Sequence, residues 1–130
     1  MEIIELKTSG KCEMVDITKR IKEAVNKNKW NDGILVVFSM HTTGGITINE
    51  SYDPDVQHDL IRALDKMVPD LNFRHMEGNS DAHLKTSLIG AESTLIVEKG
   101  ELLLGTWQGV YFCEFDGGRE RRVLLKFIGK

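Results

Sequence analysis

The chain has 130 residues, of which 41% are hydrophobic, so its length and composition fit a single domain over residues 1–130 with a real core. Its net charge of −3, with 28% charged residues, lacks the basic balance that general nucleic-acid binding requires. Because no apolar run approaches the ~20 residues of a membrane helix and no signal peptide opens the chain, we expect a cytoplasmic protein that binds neither nucleic acid nor membrane.

The N-terminal segment predicts a hairpin followed by a helix. Polar and apolar residues alternate over 2–8 and 11–17 on either side of a Ser-Gly pair, which is typical of a β-hairpin. A helix over residues 17–28 follows, with Asp16 or Thr18 as its capping residue. Its buried stripe is predicted to consist of Ile21, Ala24 and Val25.

Two strands and a second helix follow. The continuous apolar run within residues 33–40 predicts a strand buried on both faces, and residues 46–50 alternate as the next strand. Asp53-Pro54 is a strong helix start, because a capping carboxylate precedes a proline at the first helical position. Pro69 is expected to end that helix, whose apolar stripe would be Val56, Leu60, Leu64 and Met67.

The C-terminal half predicts one short helix and then strands joined by short turns. Residues 82–89 form the helix, with Ser80 or Asp81 as its cap and Gly90 at its end. The predicted strands cover residues 93–97, 102–104, 107–115 and 121–128. We therefore expect an α+β fold, a mostly antiparallel β-sheet sandwich with two or three helices.

A first polar stretch covers residues 41–50. His41 follows the apolar strand and precedes two glycines, so it lies at a strand end, where sites are commonly assembled and the backbone can approach a ligand. Asn49 and Glu50 end the neighbouring strand. The hypothesis is a site built from His41, Asn49 and Glu50; the alternative is a histidine satisfied by its neighbours above an ordinary glycine turn.

A second, more highly charged stretch covers residues 75–85. If Asp81 is still extended at the helix start, it and His83 can converge on one ligand, and the free N–H groups of the helix terminus favour an anion such as phosphate. Lys85 would add a positive charge. In the alternative interpretation, Asp81 caps the helix while His83 and Lys85 are solvated.

Three histidines in these stretches raise the question of a metal ion. His41, His75 and His83 could supply three imidazoles to a divalent ion, zinc or magnesium, with one position open for substrate. The spacing alone is a weak signal, since no His-x-x-x-His or Cys-x-x-Cys pair fixes a geometry. Cys12 and Cys113 lie far apart in strand-like runs, and we expect reduced thiols there.

The last third of the chain adds an aromatic residue and two arginines. Trp107 lies between glycines, where it would stack on a planar ring or form a core or subunit contact. Gln108 is a candidate for hydrogen bonds to a heterocycle. Arg119 and Arg121 alternate onto one face of the last strand and would clamp a phosphate, unless they form a solvated sheet edge.

Several long motifs in this sequence resemble the YjbQ family. They are His-Thr-Thr-Gly-Gly-Ile-Thr-Ile-Asn-Glu, Asp-Pro-Asp-Val, His-x-Glu-Gly-Asn-Ser-Asp-Ala-His-Leu-Lys, Leu-Gly-Thr-Trp-Gln-Gly-Val and Cys-Glu-Phe-Asp-Gly. The resemblance covers nearly the whole chain. It implies a compact α+β subunit in a homotrimer, with sites near subunit boundaries, and a secondary thiamine-phosphate synthase activity that joins a hydroxymethylpyrimidine diphosphate to a thiazole phosphate and releases pyrophosphate.

The resemblance also implies which positions form the site. The catalytic candidates are His41, Glu50, Asp81 and His83. The candidates for substrate binding are Asn49, Asn79, Lys85, Trp107, Gln108 and Arg119, and a small phosphorylated or heterocyclic metabolite would be the partner. Two alternatives remain: a metal-dependent hydrolase or transferase acting on another such metabolite, and a module that binds a metabolite without catalysis.

Overall fold

The computed structural model describes residues 1–69 and 71–130. In these ranges the chain forms three helices and eight strands, and none of these helices is long and apolar enough to cross a membrane. The strands are β1 (Glu2–Lys7), β2 (Glu13–Asp16), β3 (Gly33–Ser39), β4 (Gly44–Glu50), β5 (Glu92–Glu98), β6 (Glu101–Leu103), β7 (Gln108–Glu114) and β8 (Glu120–Gly129). The helices are α1 (Thr18–Asn28), α2 (Pro54–Met67) and α3 (Ser80–Ile89).

The strands form two antiparallel sheets. The larger sheet has the order β1-β8-β3-β5-β6 and the smaller sheet has the order β2-β7-β4. The main core contains side chains from both sheets together with the buried face of α1. This arrangement confirms the predicted α+β class and its antiparallel sheets.

One face of the larger sheet is exposed, contrary to the prediction for its central strand. Leu35 and Val37 of β3 are fully buried, whereas Ile34 and Phe38 on the opposite face are 47% and 40% exposed. A continuous apolar run predicts burial on both faces, but alternate residues of a strand point to opposite sides, and here only one side meets the core. The outer face therefore remains apolar and accessible.

The predicted N-terminal hairpin is wrong. β1 pairs with β8 in the larger sheet, and β2 pairs with β7 in the smaller sheet. The chain crosses between the sheets after Thr8, whose backbone N–H donates to the carbonyl of Arg119 at 2.9 Å. Alternation of polar and apolar residues predicts a strand, but it does not identify the strand's partner.

The first helix follows its prediction closely. Ile21, Ala24 and Val25 are its buried residues. The carboxylate of Asp16 accepts hydrogen bonds from the backbone N–H of Thr18 at 2.9 Å and from its hydroxyl at 2.6 Å. Because these bonds satisfy groups at the helix start, Asp16 acts from just outside α1, as a capping side chain would.

The second and third helices cover the other face of the smaller sheet. Tyr111, Cys113 and Phe115 pack there with Ala82 of α3. Both cysteines are free thiols, and burial raises the pKa of Cys113 to about 12. Contrary to the predicted stripe, none of the described side chains within α2 is fully buried.

The N-termini of α2 and α3 differ in how they are capped. Asp53 accepts a hydrogen bond from the backbone N–H of Asp55 at 2.9 Å, which confirms the predicted start of α2. α3 begins at Ser80, two residues earlier than predicted, and its capping position is Asn79, whose side chain makes no capping hydrogen bond. The predicted capping role of Ser80 or Asp81 is therefore wrong, because both lie inside the first turn.

Candidate functional site

Three histidines, an asparagine and an arginine line a cavity of about 440 Å³, which we call the histidine cleft (His41, His75, Asn79, His83 and Arg119). The side chains come from four places in the sequence: the turn after β3, the segment before α3, α3 itself and the loop between β7 and β8. The remaining lining residues are Met40, Thr42, Thr43, Glu77, Asp116 and Arg121. The fold thus places His41 and His75, which are more than thirty residues apart in the sequence, on one cavity.

The turn that carries His41 is fixed by the hydroxyl of Ser39 and by the close packing of Gly44. The hydroxyl of Ser39 donates to the carbonyl of Gly44 at 2.7 Å and accepts the backbone N–H of His41 at 3.2 Å. Gly44 packs directly on the ring of Phe112, where a β-carbon would collide with the ring. The glycine is required here because the backbone approaches a buried aromatic ring closely.

His41 is held as a neutral imidazole. Its Nε2 accepts a hydrogen bond from the backbone N–H of Arg122 at 2.9 Å, so the neutral ring carries its proton on Nδ1. The ring lies edge-on to Phe112, with centroids 6.2 Å apart. Burial lowers the pKa of His41, and the nearby charge of Arg121 lowers it further.

His75 and His83 form a pair beside Asn79. Their ring centroids are 5.4 Å apart at an interplanar angle of 72°. The carboxamide oxygen Oδ1 of Asn79 is buried and has no hydrogen-bond partner within the described ranges. Buried polar atoms in native structures are usually satisfied, so this oxygen marks a place where a ligand or water would bind.

Asp116 orients two further cleft residues. Its carboxylate Oδ2 accepts hydrogen bonds from Nδ2 of Asn79 at 2.9 Å and from Nη2 of Arg119 at 3.0 Å. Its backbone carbonyl accepts the Nε–H of Arg119 at 2.7 Å. The Arg119 side chain remains 55% exposed. Its guanidinium is therefore both oriented and accessible to an anion.

Asp81 and Lys85 do not belong to the histidine cleft. They lie one turn apart on α3, with their charged atoms 3.8 Å apart, whereas residues two apart on a helix, such as Asp81 and His83, point in different directions. Lys85 is buried and ion-paired with Asp65 of α2. The predicted convergence of Asp81 with His83 is wrong because Asp81 lies inside the helix, not before it.

The carboxylate of Asp81 is used on this other face of α3. It accepts a hydrogen bond from Nζ of Lys11 at 3.2 Å. Burial by itself raises the pKa of Asp81, but the hydrogen bond and the charge of Lys11 outweigh it, and the net pKa lies below its ordinary value. Asp81 therefore stabilises the fold as an ion-pair partner.

Four other predicted residues lie at the opposite end of β4. At the end near His41, Gly44 pairs with Glu114, whereas Glu50 pairs with Gln108 six residues further along, which is about 20 Å at a rise of roughly 3.3 Å per residue. Asn49 and Glu50 are therefore not neighbours of His41 within one chain. Trp107 packs edge-on against Tyr52 with centroids 5.1 Å apart. We call this region the aromatic corner (Glu50, Tyr52, Trp107 and Gln108).

The polar groups around the aromatic corner are satisfied locally. The carboxylate of Glu50 accepts the backbone N–H of Asp53 at 2.9 Å, and Oδ1 of Asn49 accepts the backbone N–H of Glu50 at 2.7 Å. Oε1 of Gln108 accepts the backbone N–H of Gly105 at 2.8 Å. Each of these side chains therefore stabilises the backbone of the segment next to it in the sequence.

The histidines as placed do not form a metal-ligand set. In residues 1–69 and 71–130, no three His, Cys, Asp or Glu side chains are grouped closely enough to hold an ion. Nε2 of His41 is already engaged by Arg122. An ion bound by His41, His75 and His83 together would require His41 to give up this hydrogen bond.

A buried ion pair beneath the cleft was not foreseen. The alternation of Arg119 and Arg121 predicts a phosphate clamp on one strand face, but Arg119 precedes β8, and Arg121 points inward, 4% exposed, against fully buried Glu114. The signal was present in the pattern: residues 110, 112 and 114 share one face of β7, and 121, 123 and 125 share one face of β8. Each charged residue thus continues a row of core positions.

Residues 2–130 match the family model described as UPF0047 protein YjbQ-like. The chain belongs to this YjbQ-like family. A UPF0047 protein of Methanocaldococcus jannaschii is 52% identical over 126 residues, which cover 96% of this chain and 91% of that protein. The UPF0047 protein YugU of Bacillus subtilis is 46% identical over 132 residues, which cover 99% of both.

Solved structures of the YjbQ-like family have the same fold. A YjbQ/UPF0047 family protein from Clostridium acetobutylicum matches with a TM-score of 0.95 at 50% identity, covering 98% of this chain and 100% of that chain. A YbjQ-like protein of unknown function from Sulfolobus solfataricus matches with a TM-score of 0.95 at 30% identity, covering 99% and 96%. The likeness covers both sheets and all three helices described above.

Proposed function

We propose that the histidine cleft binds the diphosphate of a small metabolite and that the protein is a transferase of the secondary thiamine-phosphate synthase type. The observation that supports this is the convergence of three imidazoles and the accessible guanidinium of Arg119 on one cavity. A cavity of about 440 Å³ is within the usual range for small-molecule sites, roughly 300–1,000 Å³.

The reaction needs charge stabilisation more than proton transfer. The bond between the methylene carbon of the pyrimidine and a diphosphate oxygen breaks, and a bond from the thiazole nitrogen to that carbon forms. Pyrophosphate leaves with the electron pair, so negative charge grows on its oxygens. Arg119 and the imidazole N–H groups of His75 and His83 would stabilise that charge, in the manner of preorganised donors at a leaving group.

A divalent ion fits this cleft best as a companion of the diphosphate. Magnesium is usually bound through one or two carboxylates together with substrate phosphates, and Glu77 and Asp116 line the cleft. Such an ion would neutralise part of the leaving-group charge. The Oδ1 of Asn79, which has no hydrogen-bond partner in the described residues, would be a further oxygen ligand for such an ion. A zinc ion held by three imidazoles fits less well, since Nε2 of His41 is engaged.

The aromatic corner enters this proposal through assembly. The outer face of the larger sheet carries exposed apolar side chains, among them Ile96 at 57% and Ile128 at 62%, and an apolar patch of this kind supports association of subunits. We expect the homotrimer that the family resemblance implies. Trp107 and Gln108 would then contact a substrate only in the cleft of a neighbouring subunit.

Two matched pairs of variants test the proposed function. Arg119→Gln and His83→Asn should each lower pyrophosphate affinity and synthase turnover about tenfold or more, since a charge-assisted hydrogen bond contributes about 1.5–3 kcal/mol. Arg62→Gln and His58→Asn, on the exposed side of α2, should change neither. Calorimetric titration with pyrophosphate and chromatographic measurement of thiamine phosphate give the two readouts.

The outcomes separate the alternatives. Binding of pyrophosphate without formation of thiamine phosphate would indicate a binding module or a different transferase. Unchanged affinity and turnover in both Arg119→Gln and His83→Asn would show that the histidine cleft is not the site.

A further inference from the structure

The buried pair of Glu114 and Arg121 joins the two sheets directly below the cleft. Glu114 is the last residue of β7 in the smaller sheet, and Arg121 lies near the start of β8 in the larger sheet. Nε of Arg121 donates to Oε1 of Glu114 at 2.7 Å, and Nη2 donates to Oε2 of the same carboxylate. Each charged group thus has a bidentate partner.

Stability alone does not explain such a pair. Removing two charges from water costs free energy that their attraction regains only with excellent geometry, and well-packed apolar residues of similar volume often give equal or greater stability. Here Glu114 is 0% and Arg121 4% exposed. The remaining hydrogen bonds of the two side chains show what the pair additionally fixes.

Two cleft-bearing segments are hydrogen-bonded to this pair. Nη2 of Arg121 donates to the hydroxyl of Thr43 at 2.8 Å, in the turn that carries His41. Oε2 of Glu114 accepts the backbone N–H of Asp116 at 3.0 Å, in the loop that carries Arg119.

Thr8 links the pair to Arg119 itself. Its hydroxyl donates to Oε1 of Glu114 at 2.6 Å and accepts the backbone N–H of Arg119 at 2.9 Å. The loop has room for this arrangement because Gly117 packs against the backbone of Gly10 and the side chain of Glu114, where a β-carbon would collide.

We propose that Glu114 and Arg121 are positioning residues of the histidine cleft: their buried pair fixes the turn of His41 and the loop of Arg119 relative to each other. Arg121 also lines the cleft, but its Nε and Nη2 already donate to Glu114 and Thr43, so the proposed role requires no contact of either side chain with the substrate. The proposal rests on the proposed function, since it assigns these residues to the same anion-binding cleft. Arg121 and its neighbour Arg122, whose N–H binds His41, lie on the same strand, so a shift of Arg121 reaches the imidazole directly.

The test replaces the pair without leaving an unpaired buried charge. The double variant Glu114→Leu/Arg121→Met should remain folded, with a thermal midpoint within about 5 °C of wild type, since apolar replacement of a buried pair is often neutral. Its affinity for pyrophosphate should fall at least about tenfold. The ring signals of His41 in NMR spectra should shift, together with the Nε–H signal of Arg119.

A second variant keeps the experiment decisive if the double variant fails to fold. Thr8→Val removes the hydroxyl that links Glu114 to the backbone of Arg119, and Thr8 is not among the residues that line the cleft. We expect about a threefold or greater loss of pyrophosphate affinity with the fold retained, since a single neutral hydrogen bond contributes about 0.5–1.5 kcal/mol. Thr94→Val on the outer face of β5 is the matched control and should leave affinity unchanged.

Unchanged pyrophosphate affinity and unmoved His41 and Arg119 signals in a folded double variant, or in Thr8→Val, would overturn the positioning role. If wild-type protein binds no pyrophosphate, the proposed function fails and the positioning role is judged by NMR. Shifted His41 and Arg119 signals in the variants would then support it, and unmoved signals would overturn it.

Discussion

The two ends of β4 use similar polar residues in different ways. At the histidine cleft, side chains from four separate segments converge, and Arg119 and Oδ1 of Asn79 retain capacity for a ligand. At the aromatic corner, Glu50 and Gln108 bind backbone groups three residues away. The difference teaches that a polar side chain indicates a site when its partners come from distant segments and leave donors or acceptors available.

The largest expected effect concerns burial at the two ends. Phe112, beneath His41, is fully buried, whereas Trp107 is 55% exposed. Phe112→Ala should lower the free energy of unfolding by about 3–5 kcal/mol, because it leaves a cavity, and Trp107→Ala by less than about 1 kcal/mol. Urea denaturation measures both. A loss for Trp107→Ala as large as that for Phe112→Ala would show that the aromatic corner is covered in the assembled protein.

An intermediate effect separates capping from ligand binding. Asp53→Ala removes the side-chain cap of α2 and should cost about 1 kcal/mol of stability without changing pyrophosphate affinity. Asn79→Ala removes a hydrogen bond to Asp116 but also removes an unsatisfied buried oxygen. Its stability should therefore change by less than about 0.5 kcal/mol, because these two contributions oppose each other, while its pyrophosphate affinity falls. The opposite pattern would contradict the assignment of Asn79 to the cleft.

The smallest expected effect is a pH dependence at His41. Its pKa in the folded protein is below the ordinary value of 6.5, because of burial and then the charge of Arg121. The unfolded chain therefore takes up a proton near pH 6.5, whereas the folded chain does so at lower pH. This stabilisation is complete above pH 6.5 and is lost as the pH falls through the folded pKa.

Comparison of wild type with His41→Gln between pH 7.5 and 5 isolates the contribution of His41 protonation to the free energy of unfolding. The difference in free energy of unfolding between the two proteins should shrink as the solution is acidified. Glu114 does not interfere in this window. Although burial alone raises its pKa, hydrogen bonds from Arg121 and Thr8 hold the net pKa below the ordinary 4.5. A difference that is constant with pH would contradict the neutral, half-buried state of His41.

The elements of this fold were largely predictable because they depend on local signals. The buried stripe of α1 followed from helical spacing, and the start of α2 followed from Asp53-Pro54. The partner of β1 was not predictable, since the partner is β8, more than a hundred residues later, and alternation is the same for any partner. The exposure of one face of β3 was not predictable for a related reason: in the sequence, apolar residues on an outer face cannot be distinguished from apolar residues in the core.

Five of the predicted site residues line the histidine cleft, whereas six others, such as Asp81 and Trp107, lie elsewhere. His41, His75, Asn79, His83 and Arg119 do surround one cavity. The burial of Lys85 does not follow from its neighbours in the sequence, because it depends on Asp65, which lies twenty residues earlier in α2. The pair of Glu114 and Arg121 was missed because each charge is costly to bury alone and becomes acceptable only beside its partner.

The weak burial of α2 has a consequence for hydrogen exchange. This helix is attached by polar contacts, Gln57 to the hydroxyl of Tyr111 at 3.0 Å and Asp65 to Lys85, in addition to its partly buried apolar face. Segments with few fully buried contacts open locally at a free energy well below that of global unfolding. The amide protons of α2 should therefore exchange with solvent long before those of β3 and β7. The part of the smaller sheet that α2 covers would thus be exposed transiently while α3 and both sheets remain in place.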